Sequence, residues 1–134
     1  ASPVPVGASY FTPMVPYRIC DTRPTAVSGL NDACTGHTLH AGAVFSLQVT
    51  GVGGIPSGAQ AVVLNVTATD TNAPDFLTVY PDGQARPGVS SLNWGPGQTV
   101  ASGVTATLGS DGAVDFYIPF GQADLVVDVV GWQK

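Results

Sequence analysis

Arg18, Asp21 and Arg23 crowd into the segment YRICDTR, in a chain where charged residues make up only 10% of the sequence. On a strand, Asp21 and Arg23 project from the same face. Two chemistries fit that placement. A guanidinium can fork onto a carboxylate and lock the first strand to its sheet. Alternatively, the three groups clamp a ligand carboxylate or a pair of sugar hydroxyls.

A second candidate surface gathers around Trp94 in SLNWGPGQT. A tryptophan beside a glycine-rich turn offers an aromatic face to sugar C–H surfaces, while nearby amides and carboxylates read the hydroxyls. Asn93, Gln98 and Asp75 would supply those polar contacts, with Phe76 and Tyr80 as further aromatic contacts. If Trp94 is instead a lid on the core, it is buried and does none of this. Trp132 follows an apolar strand and is read as packing. Asn65 and Asp128 interrupt apolar strands, which implies internal hydrogen bonding, with the arginine cluster as one partner.

Cys20 and Cys34 flank a turn-rich segment. A disulfide there closes a loop of about 15 residues and contributes roughly 3 kcal/mol by restricting the unfolded chain. Two free thiols, or half of a metal site with His37 and His40, are the competing readings. The set lacks the C-x2-C and H-x3-H spacings of small zinc sites. Calcium has oxygens available in DTNAPD (70–75) and PDG (81–83), but neither matches the calcium-loop pattern. No metal or other cofactor is expected.

Catalytic patterns are thin. There is no G-x-S-x-G elbow, no H-E-x-x-H, and no glutamate to act as a tuned acid. The chain is therefore not expected to be an enzyme.

Composition points to strands. The chain contains 17 Gly and 11 Pro, lacks Glu, and has Lys134 as its single lysine. Helix surfaces draw on Glu and Lys, whereas Val and Thr favour strands. A net charge of −5 with three arginines disfavours nucleic acid and anionic lipid, which both need clustered Lys and Arg. A chain of 134 residues, 44% hydrophobic, suits one domain over 10–134. Residues 1–9 read as a flexible, proline-rich leader of the kind left after signal cleavage or at a domain junction. No membrane insertion is expected, and oligomerisation is left open.

Along the chain, 11–23 suits an edge strand because of its prolines, and 24–36 is a loop. In 37–51, Phe45, Leu47 and Val49 alternate with Val44, Ser46 and Gln48. In 61–70, Val62, Leu64, Val66 and Ala68 share one face, opposite Val63, Asn65, Thr67 and Thr69. Strands are expected at 76–81, 89–95 and 99–109, with a hairpin-like loop at 82–88. The segment 113–120 is expected to return as the hairpin partner of 99–109. The final strand, 123–132, is expected at the centre of a sheet. About eight strands with turn signals every 8–12 residues predict an all-β antiparallel sandwich, jelly-roll-like or Greek-key-like, with a closed barrel as the alternative.

The succession YRICDTR, VTGVGGIPSGAQAVVLNVTATDT, LTVYPDGQARPGVSSLNWGPGQTVASGV, GSDGAVDFY and ADLVVDVVGW spans nearly the whole chain. It resembles a domain found, often in tandem, in secreted and cell-wall-associated proteins of actinobacteria, frequently beside a hydrolase. The resemblance implies a secreted or cell-surface accessory module and carries no catalytic residue set. The cysteine pair looks like a local elaboration, since many relatives have an aliphatic residue before DTR. The expected function is a non-catalytic carbohydrate-binding module for polysaccharide or cell-wall glycan. The alternative is a structural or protein-interaction domain of a surface or secreted protein.

Overall fold

Period-2 alternation decides this fold, because each strand can bury only one of its two faces. The computed structural model describes residues 10–24 and 34–134. The expected leader 1–9 and residues 25–33 of the expected loop lie outside the described residues. Nine strands occur among the described residues: β1 Phe11–Asp21, β2 Leu39–His40, β3 Val44–Gln48, β4 Ala61–Thr69, β5 Asp75–Pro81, β6 Leu92–Trp94, β7 Val100–Thr107, β8 Ala113–Tyr117 and β9 Gln122–Gln133. They form two antiparallel sheets. One runs β1-β9-β4-β7, with β2 also paired to β9; the other runs β3-β8-β5-β6. The sheets do not close into a barrel, so the sandwich expectation holds.

The inward residues of both sheets meet in one apolar cluster. Val62, Leu64, Val66, Leu125, Val127 and Val129 come from the first sheet, and Leu47, Leu77, Val114 and Phe116 from the second. Burial of each such side chain contributes about 1.5–3 kcal/mol. The alternation read in 44–49 and in 61–69 is the observed one, with Val62, Leu64, Val66 and Ala68 fully buried. Strand β9 lies between β1 and β4, as its doubly apolar sequence requires. Gly131 is bare because the Phe11 ring of β1 lies across it, where a Cβ would sit.

Three expectations need correction. First, β7 and β8 are not hairpin partners. β7 pairs with β4 from Val100 to Thr107, while β8 pairs with β3 and β5 in the opposite sheet. The turn at 109–113 is present, closed by Gly112 N–H donating to Gly109 C=O and Gly109 N–H to Ala113 C=O. The chain nevertheless crosses to the opposite sheet there, and Val114, Phe116 and Ile118 enter the shared core from that side.

Second, the strand expected at 89–95 is ladder-bonded only at 92–94. Ahead of it, Ser91 Oγ accepts the Val79 N–H and Thr78 Oγ1 donates to Val89 C=O. Side-chain bonds thus replace the regular ladder. Third, Asn65 is exposed on the outer face, opposite Asp128 and Gly103. It needs no internal partner.

Cys20 and Cys34 are joined by a disulfide, with Cα atoms 5.5 Å apart, and both are buried. It ties the end of β1 to the segment leading into β2. Replacing both cysteines by serine is expected to lower unfolding free energy by about 3 kcal/mol, read as a lower denaturant midpoint. Reducing agent should shift the parent chain by a similar amount and leave the double variant unmoved.

Candidate functional site

The nine side chains singled out from sequence separate into three places. Arg18, Asp21 and Arg23 lie on the first sheet. Trp94, Asp75 and Gln98 brace the end of the sandwich. Phe76, Asn93 and Tyr80 take the outer side of the second sheet by register; Phe76 and Asn93 reach the surface, whereas Tyr80 is buried at 5% exposure and does not offer the expected aromatic contact.

On β1, Arg18 forks onto Asp128 of β9 rather than onto Asp21, with Nε to Oδ1 at 2.8 Å and Nη2 to Oδ2 at 3.3 Å. Asp21 is fully buried and receives both Arg23 Nε at 2.9 Å and Arg23 Nη2 at 2.6 Å. The first pair ties β1 to β9, and the second closes locally at the end of β1. The Arg23 guanidinium, ahead of the opposing cost of burial, holds the Asp21 carboxyl below its ordinary value.

Sequence reading passed over the residue between them. Thr22 donates its hydroxyl to Asp124 Oδ1 at 2.9 Å and accepts the Leu125 N–H at 2.9 Å. Thr38 donates to the same Asp124 oxygen at 2.6 Å. Asp70, in the left-handed region at φ 54°, hydrogen-bonds to Asp124, and that bond raises the Asp70 carboxyl above its ordinary value. The aspartates were visible in sequence; their meeting was not, because Thr22 and Asp124 are separated by 102 residues.

At the sandwich end, Trp94 is buried, at 6% exposure. The expected exposed platform is absent there. Register explains it: Trp94 lies opposite Asp75 and Leu92 opposite Leu77, so Trp94 is on the inward face of β6. Its indole N–H is buried without an acceptor among the described residues. Asp75 is a brace, accepting the N–H groups of Phe76 at 2.9 Å, Phe120 at 3.3 Å and Gly121 at 2.8 Å. Gln98 closes the adjoining turn, accepting the Gly95 N–H at 2.7 Å and, through its carbonyl, the Thr71 hydroxyl at 2.6 Å.

The brace has a consequence on the other side. Holding Phe120 and Gly121 places the Phe120 ring, 69% exposed, edge-on to Phe76 with centroids 6.2 Å apart at 82°. Asn93 is exposed opposite Phe76. Two residues further along β5, Thr78 pairs with Tyr117, whose ring carries the Arg86 guanidinium at 3.7 Å. Next, Tyr80 pairs with Asp115, and Ser46 donates to Asp115 Oδ1 at 2.6 Å. Burial, and then the Asp115 charge, push the Tyr80 phenol upward.

The outer face therefore carries a row of rings, Phe120, Phe76 and Tyr117, bordered by amide, carboxylate and guanidinium groups. Alternation of 113–117 could have revealed Asp115 and Tyr117 as outward neighbours. The roles of Phe120 and Arg86 had no local signal, since both sit in connections.

No group of three or more His, Cys, Asp or Glu side chains able to hold a metal occurs among the described residues. The larger clefts lie elsewhere, one of about 370 Å³ beside Ile19, Cys34, Phe45 and Val52. The row of rings is a shallow surface.

Two opposite pH effects follow from the carboxyl groups. Asp21 stays ionised to lower pH when folded than when unfolded, so its contribution is present above 3.8 and lost as pH falls through the folded value. Arg23→Gln should flatten that acid limb in a series of denaturant titrations. Asp70 behaves inversely: its protonated bond to Asp124 is fully present below 3.8 and lost as pH rises through the folded value. Asp70→Asn, which tolerates positive φ, should remove this second dependence while leaving the first. Thr22→Val should cost about 1–3 kcal/mol at neutral pH by orphaning the Leu125 N–H and removing a donor from buried Asp124.

Comparison with known proteins gave no assignment: neither a protein-family model nor a curated protein sequence matches the chain.

Proposed function

We propose that this chain is a non-catalytic carbohydrate-binding module that recognises polysaccharide or cell-wall glycan through the outer face of the second sheet. The observation that carries the reading is the Phe76–Phe120 edge-to-face pair, held outward on a braced loop beside Asn93 and the Tyr117–Arg86 stack. Aromatic rings are costly to leave in water unless they meet an apolar surface, and a pyranose C–H face is such a surface. Asn93 offers both amide donor and carbonyl acceptor to sugar hydroxyls. The face is shallow, which suits an extended polymer better than a small molecule enclosed in a pocket.

The setting of the module in a secreted or cell-surface actinobacterial protein remains part of this proposal. The disulfide supports an oxidising compartment, and no helix among the described residues is long and apolar enough to cross a membrane.

A second reading, a structural or protein-interaction domain, draws on two observations. Trp94 is packed inside rather than displayed. The start of β1 also carries exposed Tyr10, Phe11 and Val15 on a sheet edge, the kind of apolar patch that partners cover.

Screening the chain on a glycan array separates the two readings. The carbohydrate reading expects retention on polysaccharide, lost in Phe120→Ala and Phe76→Ala with the thermal midpoint unchanged for the exposed Phe120 variant. Trp94→Ala should instead act on stability, at about 3–5 kcal/mol for a buried tryptophan. Retention nowhere on the array, together with concentration-dependent oligomers in sedimentation, would overturn the carbohydrate reading in favour of the second.

A further inference from the structure

The three arginines of this chain are used differently. Arg18 and Arg23 are each forked onto a carboxylate. Arg86 is exposed, holds its guanidinium carbon 3.7 Å from the centre of the Tyr117 ring, and makes no ion pair or hydrogen bond with the described residues. A stacked guanidinium keeps its in-plane N–H donors directed away from the ring. Those donors are open.

An acceptor lies on the same loop. The Asp82 carboxylate is approached by Ser46 Oγ at 3.4 Å, but that hydroxyl has one proton and directs it to Asp115 at 2.6 Å. Asp82 therefore keeps its acceptor capacity. Asp82 and Arg86 stand four residues apart with opposite charges, yet do not pair with each other. Ser46 reaches both Asp82 and Asp115, and Arg86 lies over Tyr117, two residues on from Asp115 and on the same face of β8, so both groups belong to one stretch of the outer face. A guanidinium and a carboxylate on one stretch of a face, not paired with each other and open, present a donor and an acceptor to the same ligand.

Resting on the glycan reading of this face, we infer that its ligand is an uncharged glycan, whose adjacent ring hydroxyls bridge Arg86 and Asp82. One hydroxyl oxygen accepts from the guanidinium while the neighbouring hydroxyl donates to the carboxylate. The apolar side of the sugar lies toward Phe76, which is about 7 Å from the Tyr117 row along β5.

Charge argues for an uncharged polymer over an acidic one. Two carboxylates, Asp82 and Asp115, and one guanidinium leave this stretch net negative, within a chain of net charge −5. A uronate or phosphate would meet that field at short range, where salt screens it least. A hydroxyl pair meets none of this repulsion and satisfies both open groups.

The test compares the full chain with Arg86→Ala and Asp82→Ala by calorimetry and polysaccharide retention. The probes are glucan, mannan, galactan and chitin oligosaccharides as neutral ligands, and polymers bearing uronate or phosphate as acidic ones. The parent chain should bind at least one neutral glycan, with an affinity little changed between low and high salt. Each variant should lose about tenfold or more in affinity, the effect of removing a hydrogen bond to a charged group, with its thermal midpoint retained. Preference for the uronate or phosphate polymers would overturn the inference. So would variants that bind neutral glycan within about twofold of the parent while Phe120→Ala abolishes it; there the carbohydrate reading stands and this inference alone fails. Binding to none of the probes would overturn both.

Discussion

The last strand of the chain is the centre of its larger sheet, and the rest of the structure depends on that constraint. β9 supplies the ladder partner of β1 on one side and of β4 on the other. Without it the first sheet is a β4-β7 pair and an unpartnered β1. Apolar residues on both faces of β9 follow from this position, since Val127 and Val129 enter the core while Val126 and Asp128 lie among the neighbouring strands' outward side chains. The arrangement also makes the fold strongly non-local. Among the described residues, β5 and β6 are the only consecutive strands that pair with each other. Loop-closure entropy must be met before such contacts form, so slow folding is the physical cost of this topology.

The segment DTR is the device that registers the first strand on the last. Thr22 donates its backbone N–H to the Leu125 C=O, while its hydroxyl accepts the Leu125 N–H and holds Asp124. Asp21 and Arg23 flank it as a closed ion pair, and Arg18 seals the next rung through Asp128. A one-residue slip of β1 would detach the Thr22 and Arg18 contacts at once and turn Ile19 and Cys20 relative to the core. The disulfide acts at the same strand end. The partly exposed Arg18–Asp128 pair specifies register more than it adds stability, since such an ion pair is worth about 0–1 kcal/mol.

Sequence carried the faces of strands well and their partners poorly. In 61–69 and 44–49 the alternation determines which side chains are buried, because a pleated strand has only two faces. The central position of 123–132 was legible from its apolar run. Pairing was not, since a turn such as SDG reverses the chain equally well within a sheet or across the sandwich. The cluster around Arg18, Asp21 and Arg23 was legible as charge, and its structural role followed from strand spacing for Asp21 and Arg23. Asp128 as the partner of Arg18 required the register of two strands 110 residues apart.

Trp94 shows why the candidate surface was found only in part. A tryptophan before a glycine turn can face either way, and the deciding fact is that Leu92 two residues earlier belongs to the core. Parity then sends Trp94 inward and Asn93 outward, so the residue next to the conspicuous one carries the exposed chemistry. The same parity turns Asp75 inward as a brace and Phe76 outward as a ring. Burying Asp75 is worthwhile because three backbone N–H groups satisfy it, and those same bonds fix Phe120 beside Phe76. The surface is thus a by-product of satisfying a buried carboxylate: the polar interior at the sandwich end positions the apolar exterior. Any ligand of that face would meet a loop whose backbone is already held by Asp75, with less conformational entropy left to lose on binding.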